Sequence, residues 1–348
     1  LGGPGAVFWM WVIAIIGSAS AFVESTLAQV YKIKDKDGFR GGPAYYMEKG
    51  LNKRWMGALF AVLITLSFGL VFNAVQSNTI TLAFENSFGT DRLTIGLIMT
   101  IAFAAIIFGG VKRIAKMSEY IVIVLAILYI GVALFIVMMN IAKMPEMIAL
   151  IVKSAFGLEQ VAGGTLGAAL MHGVKRGLFS NEAGMGSAPN AAATATTSHP
   201  VKQGLIQAFG VLTDTLIICT STAFIILLSG AYKQSDQSGI ELSEAALSIQ
   251  LGDWASATLA VMVFLFAFST LIGNYYYGET NIEFLKTSKL WLMLYRVSVL
   301  GMVLFGAVAK VQLVWDLADL FMGLMVVVNL IAIFMLSKVA FAALRDYQ

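Results

Sequence analysis

The chain has 348 residues, 59% of them hydrophobic and 12% charged, with a mean hydropathy of +0.83 and a formal net charge of +3. A soluble domain carries about 25% charged residues, so this sequence cannot cover a water-facing surface. Apolar runs of about twenty residues recur instead, each able to cross the hydrocarbon core, whereas an outer-membrane barrel would show alternating segments of about ten.

An all-α polytopic membrane protein follows, with nine spans predicted in one transmembrane domain over 1–348. The first span, 5–31, opens behind an LGGPG turn with Pro4 just inside the helix start. A basic segment from Lys32 to Arg54 comes next, with a short interfacial helix near 43–51. The spans 55–85, 93–110 and 114–139 follow, then an amphipathic loop helix over 141–156 that is too short to cross. The fifth span is 162–193 and the sixth 201–230; a polar loop with a short helix fills 233–253. The last three are 254–285, 290–309 and 313–336. Alternating these spans puts fifteen of the 23 Lys and Arg residues in loops on one side and five on the other, including Lys34, Lys36, Lys112, Arg113 and Lys116 on the rich side. The positive-inside rule then sets residue 1 outside and Gln348 in the cytoplasm. Residue 1 is Leu and no Lys or Arg precedes Lys32, so the chain reads as starting in mid-protein. The lone cysteine, Cys219, excludes an internal disulfide and reads as a packing residue.

The stretch 172–190, HGVKRGLFSNEAGMGSAPN, sets Lys175, Arg176, Asn181 and Glu182 among Gly173, Gly177, Gly184 and Gly186 at membrane depth. A charge there costs roughly 2.5–3.5 kcal/mol on insertion scales, and non-helical backbone is tolerated only inside protein or beside a wet cavity. We read a discontinuous helix, unwound over 177–186, on a solute path. A half-helix N-terminus near 180–184 would offer N–H groups to a carboxylate. The alternative is a kinked structural helix whose Lys and Arg snorkel.

The second span carries FNAVQSNTI (72–80), with Asn73 and Gln76 on one face. Its amides serve either as glue between helices or as substrate ligands, and Gln76 reaches furthest. In the seventh span, Ser269 and Thr270 stand one turn before Gly273 and Asn274. Their hydroxyls suit Na⁺ or, as commonly happens, bond their own i−4 carbonyl. Glu24, Asp214, Glu279 and Asp319 are intramembrane carboxylates able to relay protons or to pair with bases. Ser180 with His172 or His199 lacks the G-x-S-x-G context of a hydrolase, so an enzyme is not expected. A channel or uniporter for small polar solutes is the rival, without a repeated filter loop to support it.

Six longer motifs carry a resemblance: GGPGAVFWMWV (2–12), FVESTLAQVYK (22–32), FRGGPAYYMEKGL (39–51), FNAVQSNTI (72–80), KRGLFSNEAGMGSAPNAAA (175–193) and VWDLADLFMGLM (314–325). Over 2–340 the chain resembles the prokaryotic alanine or glycine:cation symporter family, also called the sodium:alanine symporter family. The resemblance implies a leucine-transporter-like fold of inverted five-helix repeats in the plasma membrane. It implies import of a small neutral amino acid with Na⁺, or H⁺ in some members, with the lipid bilayer as a further partner and neither cofactor nor nucleic acid. By motif match, Gln76 and Phe179 would line the amino-acid pocket, beside Asn73 and Gly177, and Ser269 and Thr270 would supply side-chain oxygens to Na⁺. Two further helices, one with a Gly-rich GTGN break, would precede the GGPG turn. Some members carry Trp where Asn274 stands, so a larger or more polar substrate such as glutamine or serine is expected here alongside alanine and glycine.

Overall fold

In the computed structural model, the described residues are 2–35, 38–109, 111–158, 166–233, 237–286 and 288–348; the side chains of 111–121 lie outside them. Among these, eight helices are long and apolar enough to cross a membrane. The first is α1 (Gly5–Tyr31). The second, Arg54–Phe88, joins α3 (Arg54–Ile64) to α4 (Asn73–Phe88) through a π-helical stretch, Thr65–Phe72. Next come α5 (Arg92–Gly109) and α6 (Val111–Met139). The span Pro200–Ser229 joins α10 (Pro200–Thr213) to α11 (Thr220–Ser229) through a second π-helical stretch, Asp214–Cys219. The set closes with α13 (Trp254–Leu285), α14 (Lys289–Val308) and α15 (Val311–Tyr347). The expected ninth span is therefore longer than 313–336, reaching Tyr347.

The shorter elements fill the expected gaps. A β-hairpin, β1 (Ile33–Asp35) against β2 (Gly38–Arg40), was not expected from sequence, and α2 (Pro43–Leu51) was. Pro43 opens α2, and Asn52 closes it in the left-handed region at φ 55°. The amphipathic α7 (Met144–Ala155) and α12 (Ile240–Leu251) occupy the two long loops. The fifth predicted span is not one helix: α8 (Leu166–Asn181) stops, the chain unwinds, and α9 (Ala188–Ala192) makes barely one turn. The expected start of that span at Ala162 lies outside the described residues, as do Leu1, Lys36 and the side chains of Lys112, Arg113 and Lys116.

In a bilayer, helices associate through close packing and hydrogen bonds rather than through apolar burial. Both are visible here. Gly173 and Gly177, four apart on α8, form a small-residue stripe against α1: a Cβ on Gly173 would fall 2.5 Å from Trp9 Cβ, and one on Gly177 would collide with Ile13. These two glycines stay helical and bring backbones together, which corrects the expected unwinding at Gly177. Ser77, Asn78 and Thr81 of α4 donate to the terminal carbonyls of α14 and its end, at Val303 (2.6 Å), Gly306 (2.8 Å), Ala307 (2.9 Å) and Ala309 (2.9 Å). Gly306 and Ala307 are among the last four carbonyls of α14, which a helix C-terminus leaves without intrahelical partners. For these three residues the glue reading holds.

Candidate functional site: a broken helix between two π-helical stretches

Unwinding begins at Glu182, not at Gly177. Glu182 takes φ 56°, Gly184 φ 78° and Gly186 φ 82°, all in the left-handed region that glycine enters freely. The residues at 180–184 are thus the C-terminal end of α8, presenting carbonyls. This corrects the expected half-helix N-terminus, because the left-handed residues terminate a helix here instead of preceding one. The unwound loop is sealed by side chains. Fully buried Glu24 of α1 accepts the Gly184 N–H on Oε1 (3.1 Å) and Asn329 Nδ2 on Oε2 (2.7 Å). Asn329 Nδ2 also donates to the Gly184 carbonyl (2.9 Å), and the Tyr46 hydroxyl donates to Asn329 Oδ1. Glu182 Oε2 accepts from Ser187 Oγ (2.5 Å).

The last turn of α8 meets both π-helical stretches. On one side Phe179 stacks on Phe72 (centroids 4.8 Å), which stacks on Phe68 (4.3 Å), which meets Tyr277 edge-on (5.6 Å). Phe179 also packs on Trp315 (4.7 Å), so one column of rings joins the second span, α8, α13 and α15. On the other side Ser180 Oγ donates to Asp214 Oδ2 (2.6 Å) and Asn181 Nδ2 to Thr215 Oγ1 (3.0 Å). A π turn spoils the regular i→i−4 ladder, and such turns are frequent at functional sites.

The sequence-derived amides gather at one level. Phe284 packs near Gly57, Tyr295 lies against both Gly69 and Gly278, and Ile80 shares a core with Leu271. The second span and α13 are therefore antiparallel, and Asn73 and Asn274 each sit one turn beyond the Tyr295 contact. Both are buried, and each leaves one atom without a partner among the described residues: Asn73 Oδ1, an acceptor, and Asn274 Nδ2, a donor. Asn73 Nδ2 is spent on the Gly69 carbonyl (2.9 Å). Gln76, three residues on, is half-buried and forms no hydrogen bond among the described residues. Orphaned amide atoms in a membrane interior cost about 1–3 kcal/mol each.

Gly177 stands apart from this group, since α1 fills the space beside it. Ser269 Oγ and Thr270 Oγ1 donate to the Phe266 carbonyl at 2.7 and 3.1 Å, the back-bonding alternative, which still leaves lone pairs on both oxygens. They lie about 6–7.5 Å along α13 from Asn274 at 1.5 Å per residue. Beyond the break, α9 touches α13 through Asn281 Nδ2 to Asn190 Oδ1 (3.0 Å), roughly 16 Å along the axis from Thr270. No hydrogen bond among the described residues joins the unwound residues to Ser269 or Thr270.

The charges of 172–190 do not snorkel alone. Arg176 grips both oxygens of Asp319 (2.5 and 2.7 Å) and lies 4.6 Å over the Trp315 ring, and Lys175 reaches the same carboxylate (3.3 Å). Glu279 pairs with Arg296 (3.2 Å) and accepts from Tyr275 (2.7 Å). Ser180 has Asp214 and Cys219 Sγ (2.9 Å) as partners, not a histidine; His199 instead bonds Asp346 (3.3 Å) and packs against Tyr347. Asn329, Tyr46 and Trp315 escaped the sequence reading, although Asn329 alone interrupts an apolar run, the one signal that could have exposed it.

Comparison with known proteins bears on this geometry. The sequence profile of the sodium:alanine symporter family matches residues 1–348. The chain is 75% identical over 347 residues to a Bacillus subtilis protein named "probable sodium/glutamine symporter GlnT", covering 100% of this chain and 73% of that one. It is 58% identical to the amino-acid carrier protein AlsT of the same organism, covering 99% and 74%. It is 38% identical to the sodium/alanine symporter AgcS of Methanococcus maripaludis, covering 100% and 78%.

Proposed function

The chain belongs to the sodium:alanine symporter family, and from that premise we propose that it imports a small neutral amino acid, glutamine foremost, together with Na⁺. The family makes it a transporter and not an enzyme. The observation that carries the reading is the orphaned pair, Asn73 Oδ1 and Asn274 Nδ2, at one depth beside half-buried Gln76. A glutamine side chain supplies what both lack: an amide N–H for the acceptor and an amide carbonyl for the donor. Phe179 borders the site through its stack on Phe72. Ser269 and Thr270 offer Na⁺ their hydroxyl lone pairs, the hard oxygens it prefers. Gly177 serves by letting α8 lie close to α1 rather than by touching the amino acid.

In this reading the protein is one transmembrane transport domain with a leucine-transporter-like inverted repeat, in a prokaryotic plasma membrane with residue 1 outside and the C-terminus cytoplasmic. Na⁺ binding raises amino-acid affinity by the factor that the amino acid raises Na⁺ affinity. One bundle then rocks against the other about the site. Uptake of labelled glutamine, serine and alanine by the full-length protein in proteoliposomes tests this, with and without an inward Na⁺ gradient. Accumulation only with a cation gradient is expected; accumulation indifferent to Na⁺ and H⁺ would make the protein a channel or uniporter. Gln76→Ala is expected to weaken amino-acid affinity and Thr270→Ala to raise the Na⁺ concentration needed for half-maximal uptake. Unchanged curves for both would displace the site.

A further inference from the structure

The intramembrane carboxylates divide by what they face. Asp319 and Glu279 are held by arginines. Glu24 has both oxygens bonded to neutral donors and is sealed from solvent, and Glu182 is tied to Ser187 on the unwound turn. Asp214 differs from all four. Its Oδ2 accepts Ser180 Oγ (2.6 Å), Thr215 Oγ1 (3.3 Å) and Cys219 Sγ (3.8 Å), while Oδ1 has no hydrogen bond among the described residues. Asp214 also lines a cavity of about 440 Å³ bounded by Tyr129, Thr222, Ser243, Met262 and Phe266. That cavity reaches Ile240 and Ser243 of α12, the helix in the loop that the charge pattern sets outside.

A carboxylate at membrane depth without a cationic partner is costly, and such groups mark ion pathways and proton relays. We propose that Asp214 carries a proton that enters with the amino acid, loaded on Oδ1 from the outside through this cavity. The inference rests on the transport reading and adds to it a residue and a route. The surroundings favour a proton over a metal cation. Every group at Oδ2 is a hydrogen-bond donor, and on the cavity side the Tyr129 and Thr222 hydroxyls are bonded to each other (2.8 Å). The ionisable groups that face Asp214 are Glu182 from the break, Cys219 of its own helix and Tyr129 across the cavity. The residues of α12 and α13 that line the cavity with it, Ile240, Ser243, Leu259, Met262, Val263 and Phe266, are neutral. Protonation converts the Ser180 bond from charge-assisted to neutral, and a neutral bond is roughly half as strong. The last turn of α8 is then held less tightly to the second π-helical stretch, which couples the proton to movement of the broken segment. Release to the cytoplasm after the rocking step restores the carboxylate.

The test uses the full-length protein in proteoliposomes with equal Na⁺ on both sides and a pH-sensitive dye in the lumen. Added glutamine, with alanine alongside, is expected to acidify the lumen as it enters. In Asp214→Asn the ratio of protons to amino acid should fall to the background of empty liposomes, whereas Asp214→Glu should keep proton entry. Wild-type uptake without acidification, or Asp214→Asn with the wild-type ratio, would overturn the proposal and leave Na⁺ symport standing. If Asp214→Asn proves inactive, the infrared carboxylic-acid band that wild type gains on acidification decides. Its loss in the variant supports the assignment, and its persistence unchanged overturns it. No wild-type uptake under any gradient would overturn the transport reading, and this proposal with it.

Discussion

The two halves of the broken segment use the same residue for opposite ends. In Leu166–Asn181, Gly173 and Gly177 stay in the helix and let α1 approach where a Cβ would collide with Trp9 or Ile13. In Glu182–Ser187, Gly184 and Gly186 leave the helix at φ 78° and 82°, with Glu24 and Asn329 closing the loop around them. A glycine cluster in a membrane span thus carries two meanings that spacing alone does not separate. The four-residue interval of Gly173 and Gly177 is a packing stripe, and the two-residue interval of Gly184 and Gly186 is a turn.

Four substitutions sharpen that contrast, each read as the thermal midpoint of the purified protein in detergent. The largest effect is expected from Glu24→Leu, which strands the Gly184 N–H and one of the two N–H groups of Asn329 Nδ2 in a dry interior, at about 1–3 kcal/mol for each. Gly186→Ala should follow: its Cβ would fall 2.6 Å from Phe60 Cζ and 2.8 Å from Pro43 Cγ, and the left-handed backbone adds roughly 1–2 kcal/mol. Gly177→Ala should cost less, because overpacking against Ile13 of about 1–3 kcal/mol is partly offset by about 1 kcal/mol of helix propensity. Gly210→Ala on α10, where nothing lies within 4 Å of the added atom, should stabilise by about 0.5–1 kcal/mol. If Gly177→Ala proved as harmful as Gly186→Ala, the two-use account of the segment would fail.

Hydropathy made most of the architecture legible. The ends of α1 and α13 fall at the residues expected, because Pro4 and Trp254 begin apolar runs that polar loops terminate. What stayed hidden depended on distant partners. Neither π-helical stretch has a local signal, since TLSFGLVF and DTLIIC read as ordinary helix. The ring column is built from Phe68, Phe72, Phe179, Tyr277 and Trp315, which lie on different segments, so no window of sequence contains it. The polar patch of the second span was readable as polar but not as two-sided. Only the fold separates Ser77 and Asn78, spent on α14, from Asn73 and Gln76, whose amides keep free capacity.

The ties on the final turn of α8 have a mechanical consequence. Successive residues of a helix are about 100° apart around the axis, so Arg176, Gly177, Phe179, Ser180 and Asn181 point to nearly every quarter of the compass. Arg176 is fastened to α15, Gly177 nests against α1, Phe179 is clamped by the second span, and Ser180 and Asn181 are moored to the sixth. A twist by a single residue would tear all of these moorings at once. That turn is therefore an anchored post, tied at once to α15, α1, the second span and the Pro200–Ser229 span.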